Sequence, residues 1–213
     1  MKSKASLLLL SFVISSFLAV SCLTAAEIEK NIEKRVEKTV DKETQLSAWK
    51  LNEGNFQLEL IQRSPEQTRS FFQGRGFSPN IADDIATSCV FQTIGRNTEA
   101  ENRTDSVTVD LSEWRIVMAD NQDKIAKPIK LKEDWDEEWK GANVSSASRI
   151  AFRWATYPSE QSFDPGGDFN WGMISIGPKP DTVFDLHIFW KQDDKKHDAW
   201  IKQMQCPKDQ SDQ

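Results

Sequence analysis

Residues 183–206, VFDLHIFWKQDDKKHDAWIKQMQC, decide the fold. Two apolar runs rich in strand formers flank a charged centre, Asp193-Asp194-Lys195-Lys196, so the chain must reverse there. The pattern predicts an antiparallel hairpin. Setting Gln192 opposite His197 pairs Trp190 with Ala199, Ile188 with Ile201, Leu186 with Gln203 and Phe184 with Gln205 on one face, which by its content is the core face. The other face then carries Lys191 with Asp198, Phe189 with Trp200, His187 with Lys202 and Asp185 with Met204. His187 and His197 are the only histidines in the chain, and this register puts them on opposite faces, which argues against a two-histidine metal site.

The hairpin ends on Cys206, and its partner is found by elimination. Residues 1–26 have the form of an export signal: Lys2 and Lys4 precede an apolar run over 7–20 that is too short, and too soon followed by charge, for a membrane span. Two cleavage points suit this leader. Thr24-Ala25-Ala26 offers the small residues of ordinary cleavage, whereas Leu18-Ala19-Val20-Ser21-Cys22 is similar to a bacterial lipoprotein box and would make Cys22 the lipidated residue. Either route removes Cys22 from disulfide chemistry and leaves Cys89 and Cys206, which an oxidising compartment pairs. The expected address is the periplasm or cell envelope, with a lipid anchor in the second case.

About 190 residues then remain, enough for one core. Loss of the leader moves the formal charge from −6 to −8, and no basic stripe relieves it, so nucleic acid is excluded as a partner. The domain plan is a charged amphipathic helix over 27–48, a β-rich domain over 49–207 and a polar tail over 208–213. A four-residue repeat over 27–44 (Ile28, Ile32, Val36 and Val40, each followed by an acid and a lysine) motivates the helix and suggests self-association along its apolar stripe.

From Asn55 the chain alternates as a strand to Gln62. Ser64-Pro65 and Ser78-Pro79 then start two helices, the first closed by Gly74-Arg75-Gly76. Strand patterns follow at 89–94, 107–111, 114–118, 129–131, 149–157 and 170–176, with a polar loop over 95–105. Seven or eight short strands with turn signals between them predict a mainly β protein, an antiparallel sandwich or barrel with a few short helices.

Chemistry is sparse. The chain has no G-x-S-x-G, H-E-x-x-H, C-x-x-C, phosphate loop or dinucleotide fingerprint, and no cofactor or metal is implied. Asp164-Pro165-Gly166-Gly167-Asp168 reads as a turn between strands; Asp164, Asp168 and Glu160 are the carboxylates a hydrolase site would draw on. Of eight tryptophans, Trp49, Trp114, Trp154 and Trp190 lie in apolar contexts that suit a core. Trp135 and Trp139, four apart on a helical turn, join Tyr157 and Trp171 as the ligand-binding candidates, an aromatic platform for a sugar or flat ligand. The functional expectation is a non-enzymatic interaction module binding another envelope protein, with a small-ligand or carbohydrate-binding protein as the alternative.

Overall fold

The structure is a computed structural model that describes residues 35–118 and 126–210. The export leader, Cys22 and the first part of the repeat, to residue 34, lie outside the described residues. What remains of the predicted helix is not helical. Val36–Val40 forms strand β1, paired antiparallel with β2 (Ser47–Glu53). Valine and threonine favour the pleated backbone. Asp41 then turns the chain, its carboxylate accepting from the backbone N–H of Thr44 at 2.7 Å and of Glu43 at 3.1 Å. Arg35 is held to Glu53 across the pair.

β2 continues through Gly54 into β3 (Phe56–Gln62), and two helices follow, α1 (Pro65–Gln73) and α2 (Pro79–Ala86). Each starts as expected, with a serine hydroxyl accepting from the third backbone N–H of the turn and proline in the first turn. Strand β4 (Val90–Asn97) returns beside β3, and β9 (Phe169–Ser175) pairs with its other side, completing one five-stranded antiparallel sheet in the order β1-β2-β3-β4-β9.

The second sheet is built on β10 (Val183–Gln192). β11 (Lys195–Gln205) runs along one side of it. β5 (Val107–Asp110) and β6 (Arg115–Met118) share the other side end to end, and β8 (Glu160–Phe163) and β7 (Lys127–Pro128) pair with them in turn. The hairpin exists, but Gln192 faces Lys195, two residues earlier than the expected register. Asp193 and Asp194 both take left-handed backbone, with φ of 48° and 59°, and so close a two-residue loop whose twist matches the strands. An even shift keeps the faces. Phe184, Leu186, Ile188, Trp190, Ala199 and Ile201 are buried as expected, and His187 and His197 do lie on opposite faces. A bulge between Phe184 and Leu186 then brings Met204 to the core in place of the expected glutamines.

The two sheets pack face to face around a core that includes Trp49, Phe56, Phe91, Trp114, Phe163 and Trp190. The mainly β sandwich follows from this packing. Cys89, just before β4, is bonded to Cys206, just after β11, with Cα atoms 5.1 Å apart, so the staple joins one sheet to the other. Such a bond suits an oxidising, non-cytoplasmic setting. No described helix is long and apolar enough to cross a membrane.

A third layer covers part of the outer face of the five-stranded sheet. It contains α1, α2, α3 (Lys132–Glu138) and α4 (Ser146–Ala155), closed over a second core of Phe72, Phe77, Trp135, Trp139, Phe152 and Met173. α4 corrects the strand expected over 149–157. Ser145 caps it by accepting from the Ser148 N–H at 3.0 Å, and Ala147, Ala151 and Ala155 are strong helix formers, so local propensity overrides the accidental alternation of Ile150, Phe152 and Trp154. The strand expected at 129–131 is reduced to a single bridge, Lys130 to Ser175.

Candidate functional site

On α4 the apolar residues Ala147, Ile150, Ala151, Phe152, Trp154 and Ala155 span an arc of about 200° at 100° per residue, wider than the stripe a helix needs to pack on one surface. Phe152 lies in the second core, 4.8 Å from the ring centroid of Trp139. Ala155 is buried in that core too, and the remaining apolar positions turn away from it. Ala147, Ile150, Ala151 and Trp154, at helical spacing, form one wall of a cleft of about 560 Å³. Phe71 of α1 faces them, and the floor is the outer side of β4 and β9, Gln92, Met173 and Trp171. Volumes of this order are those of small-ligand sites.

The cleft and its surroundings gather most of the large apolar side chains left exposed among the described residues. Ile150, Trp154, Phe169 and Trp171 are 53, 85, 56 and 60 % exposed, and Val40, on the far edge strand, is the fifth such residue among those described. Phe169 and Trp171 sit two apart on β9 and therefore share a face, with Arg96 of β4 paired beside Phe169 and its guanidinium 5.6 Å from that ring.

Tyr157 and Gly172 fix where this wall stands. After α4 ends, the Tyr157 N–H donates to the Met173 carbonyl at 2.9 Å, which docks the helix terminus on β9. The backbones come so close that a Cβ on Gly172 would lie 2.6 Å from the Thr156 carbonyl carbon and 2.7 Å from the Tyr157 Cα. Gly95 serves the same side chain from below, since a Cβ there would collide with the Tyr157 hydroxyl. That hydroxyl is buried without a hydrogen-bond partner, and burial pushes its pKa well above the usual tyrosine value.

Two cations line the cleft. Arg63 follows β3, its backbone N–H bonded to the Val90 carbonyl at 3.0 Å, and its Nε is buried without a partner. Arg75 lies over the Phe71 ring, 3.3 Å from its centroid, and donates to the Phe71 carbonyl at 3.0 Å.

Of the four aromatic residues singled out from sequence, the structure exposes one. Trp171 is on the cleft. Trp135 and Trp139 do share a helical face, 5.8 Å apart, but that face points inward: they are 2 % and 4 % exposed, and the Trp135 indole donates to the Ser175 hydroxyl at 3.2 Å. Tyr157 is buried in the main core. The expected four-residue platform is therefore not assembled, because three of its members carry packing surface. Trp154, expected in the core, is instead the most exposed large apolar side chain among the described residues. Reading 146–155 as a helix, with its over-wide apolar arc, was the signal that could have found it.

Asp164 and Asp168 close a turn on residues 164–168, where the Asp164 N–H donates to the Asp168 carboxylate at 3.1 Å and Gly166 and Gly167 take positive φ. Among the described residues no three His, Cys, Asp or Glu come together as a metal site would require. Comparison with protein-family models, curated proteins and solved structures finds no match. What the cleft does must come from its own chemistry.

Proposed function

We propose that this chain is an exported, non-enzymatic binding module of the cell envelope that captures an apolar ligand group in the cleft between α1, α4 and the β4–β9 surface. One observation carries it: four of the five large apolar side chains exposed among the described residues gather on and beside one cleft of ligand size. Two indoles at its mouth supply large contact area with few rotatable bonds. The disulfide and the leader-like residues 1–26 support export. Lipidation at Cys22 would add a membrane tether.

The neutral dye N-phenyl-1-naphthylamine tests this directly. Wild type should bind it saturably with a rise in dye fluorescence, and Trp154→Ala with Trp171→Ala should lose that rise while keeping its thermal transition. Equal enhancement by both proteins, or none by either, refutes the cleft as the binding surface.

An envelope polypeptide as the bound partner is the second reading, favoured by Phe169. It extends the apolar surface beyond the cleft along β9, an edge strand of its sheet. Phe169→Glu should then abolish crosslinking to such a partner and leave dye binding intact.

A further inference from the structure

Resting on the cleft proposed above, we infer that its occupant is a single-chain aliphatic carboxylate, with the chain lying along Ile150, Trp154 and Trp171 and the carboxylate met by Arg63 and Arg75. The arginines point to this chemistry by contrast with their fellows. Arg35, Arg69, Arg103, Arg149 and Arg153 each hold a carboxylate within 4 Å. Arg63 and Arg75 have no such partner among the described residues, although acids outnumber bases 33 to 27 in the chain; Arg96, beside the Phe169 ring, and Arg115, donating to the Ser112 and Trp114 carbonyls, also lack one but line no part of the cleft. The two lie on the same cleft, and this is the cleft that carries the exposed apolar surface.

Arg63 is the stronger of the two signals. Its Nε is shut off from water with no acceptor, an arrangement a charged donor tolerates poorly unless something completes it. Arg63 also lines the cleft, where a carboxylate can offset its charge through the other N–H groups of the guanidinium, since two carboxylate oxygens match paired guanidinium N–H groups. Arg75 is held over the Phe71 ring by that contact and by its bond to the Phe71 carbonyl, at the border of the cleft. A singly charged head also suits a protein whose overall charge of −6 repels more highly charged anions.

Decanoate, decanol and decyltrimethylammonium share one chain length and differ in head charge, so calorimetric titration of the full exported protein with each, below micelle formation, separates the two layers of inference. Decanoate should bind at least tenfold more tightly than decanol, and the cationic amphiphile more weakly than either. Arg63→Gln with Arg75→Gln should reduce the decanoate-to-decanol ratio to about one while decanol binding persists, which also reports that the variant is folded. Arg75→Gln alone, exposed just past the end of α1, should reduce the ratio in part.

Equal affinity for decanoate and decanol, or a ratio unchanged in the double variant, overturns carboxylate recognition and leaves the apolar cleft standing. Failure of wild type to bind any of the three overturns the cleft and the inference together.

Discussion

Replacing Cys89 and Cys206 together by alanine tests the construction of the sandwich most severely. The bond joins the start of β4 to the end of β11 and closes a loop of 117 residues. By the loop-entropy relation a cross-link of that span lowers the free energy of folding by about 5 kcal/mol, acting through the unfolded chain. Both cysteines are buried, so deleting their sulfurs adds a cavity loss on the order of 1 kcal/mol. Against a total stability of about 5–15 kcal/mol for a domain, that is a third of the total or more.

Urea unfolding followed by tryptophan emission measures it. The variant's midpoint should fall and its urea dependence should steepen, because the uncrosslinked chain exposes more surface when unfolded. Reduced wild type should behave similarly without the cavity loss. The cleft should survive below the transition, since Gln92 is held by β3 and β9 rather than by the staple. A loss below about 1 kcal/mol with an unchanged slope would refute the entropic account.

Four further outcomes follow from three single positions. Tyr157→Phe removes a buried hydroxyl that has no partner, so it should leave stability unchanged or raise it by about 1 kcal/mol in thermal or urea unfolding; a loss above 1 kcal/mol would mean the hydroxyl is satisfied. Tyr157 is also the only tyrosine, so absorbance at 295 nm follows one ionisation. Its folded pKa is raised by burial, so its contribution is intact below the unfolded value near 10 and is lost as pH rises toward the folded value. The signal should therefore appear with alkaline unfolding, and titration near pH 10 in the folded protein would contradict the burial. Gly172→Ala drives a Cβ into the Thr156–Tyr157 backbone and should cost at least 2 kcal/mol and weaken dye binding, because it displaces the helix that carries Trp154; full retention of both would refute the close approach. Ser145→Ala should cost about 1 kcal/mol in urea unfolding by uncapping α4, and no measurable loss would mean the cap is dispensable.

Much of the sandwich was legible because its decisive segments carry at least two consistent signals each. Residues 183–206 alternate and also contain the reversal; 64–73 and 78–86 combine an N-cap serine, a first-turn proline and an apolar face. Where one signal stood alone, it misled. The repeat around Val36 and Val40 fits a helix by period, yet residues two apart on a strand also share a face, and pairing with β2 decides between them. The hairpin register slipped by two because turn length depends on whether Asp193 and Asp194 both take left-handed backbone, which composition permits but does not compel.

The cleft was harder to foresee for a reason rooted in what a tryptophan is. An indole has the same apolar surface whether it fills a core or waits for a ligand, so local context sorts the two uses poorly. Trp135 and Trp139 sit among acids and look exposed, but their shared face meets Phe152, and the acids occupy the other side of α3. Trp154 sits among apolar residues and looks buried, but α4 has more apolar circumference than its one packing surface can cover. The deciding quantity is therefore the width of an apolar arc compared with the partners available to it, and that comparison needs the fold. Where the arc exceeds what Phe72, Phe77 and Trp139 can cover, the surplus becomes the wall of the cleft. Gly172 lets the Thr156–Tyr157 backbone, which follows α4, come close against β9 next to Met173. The glycine at 172 thus bears on the site without lining it, because the close approach it permits positions the end of the helix that carries Trp154.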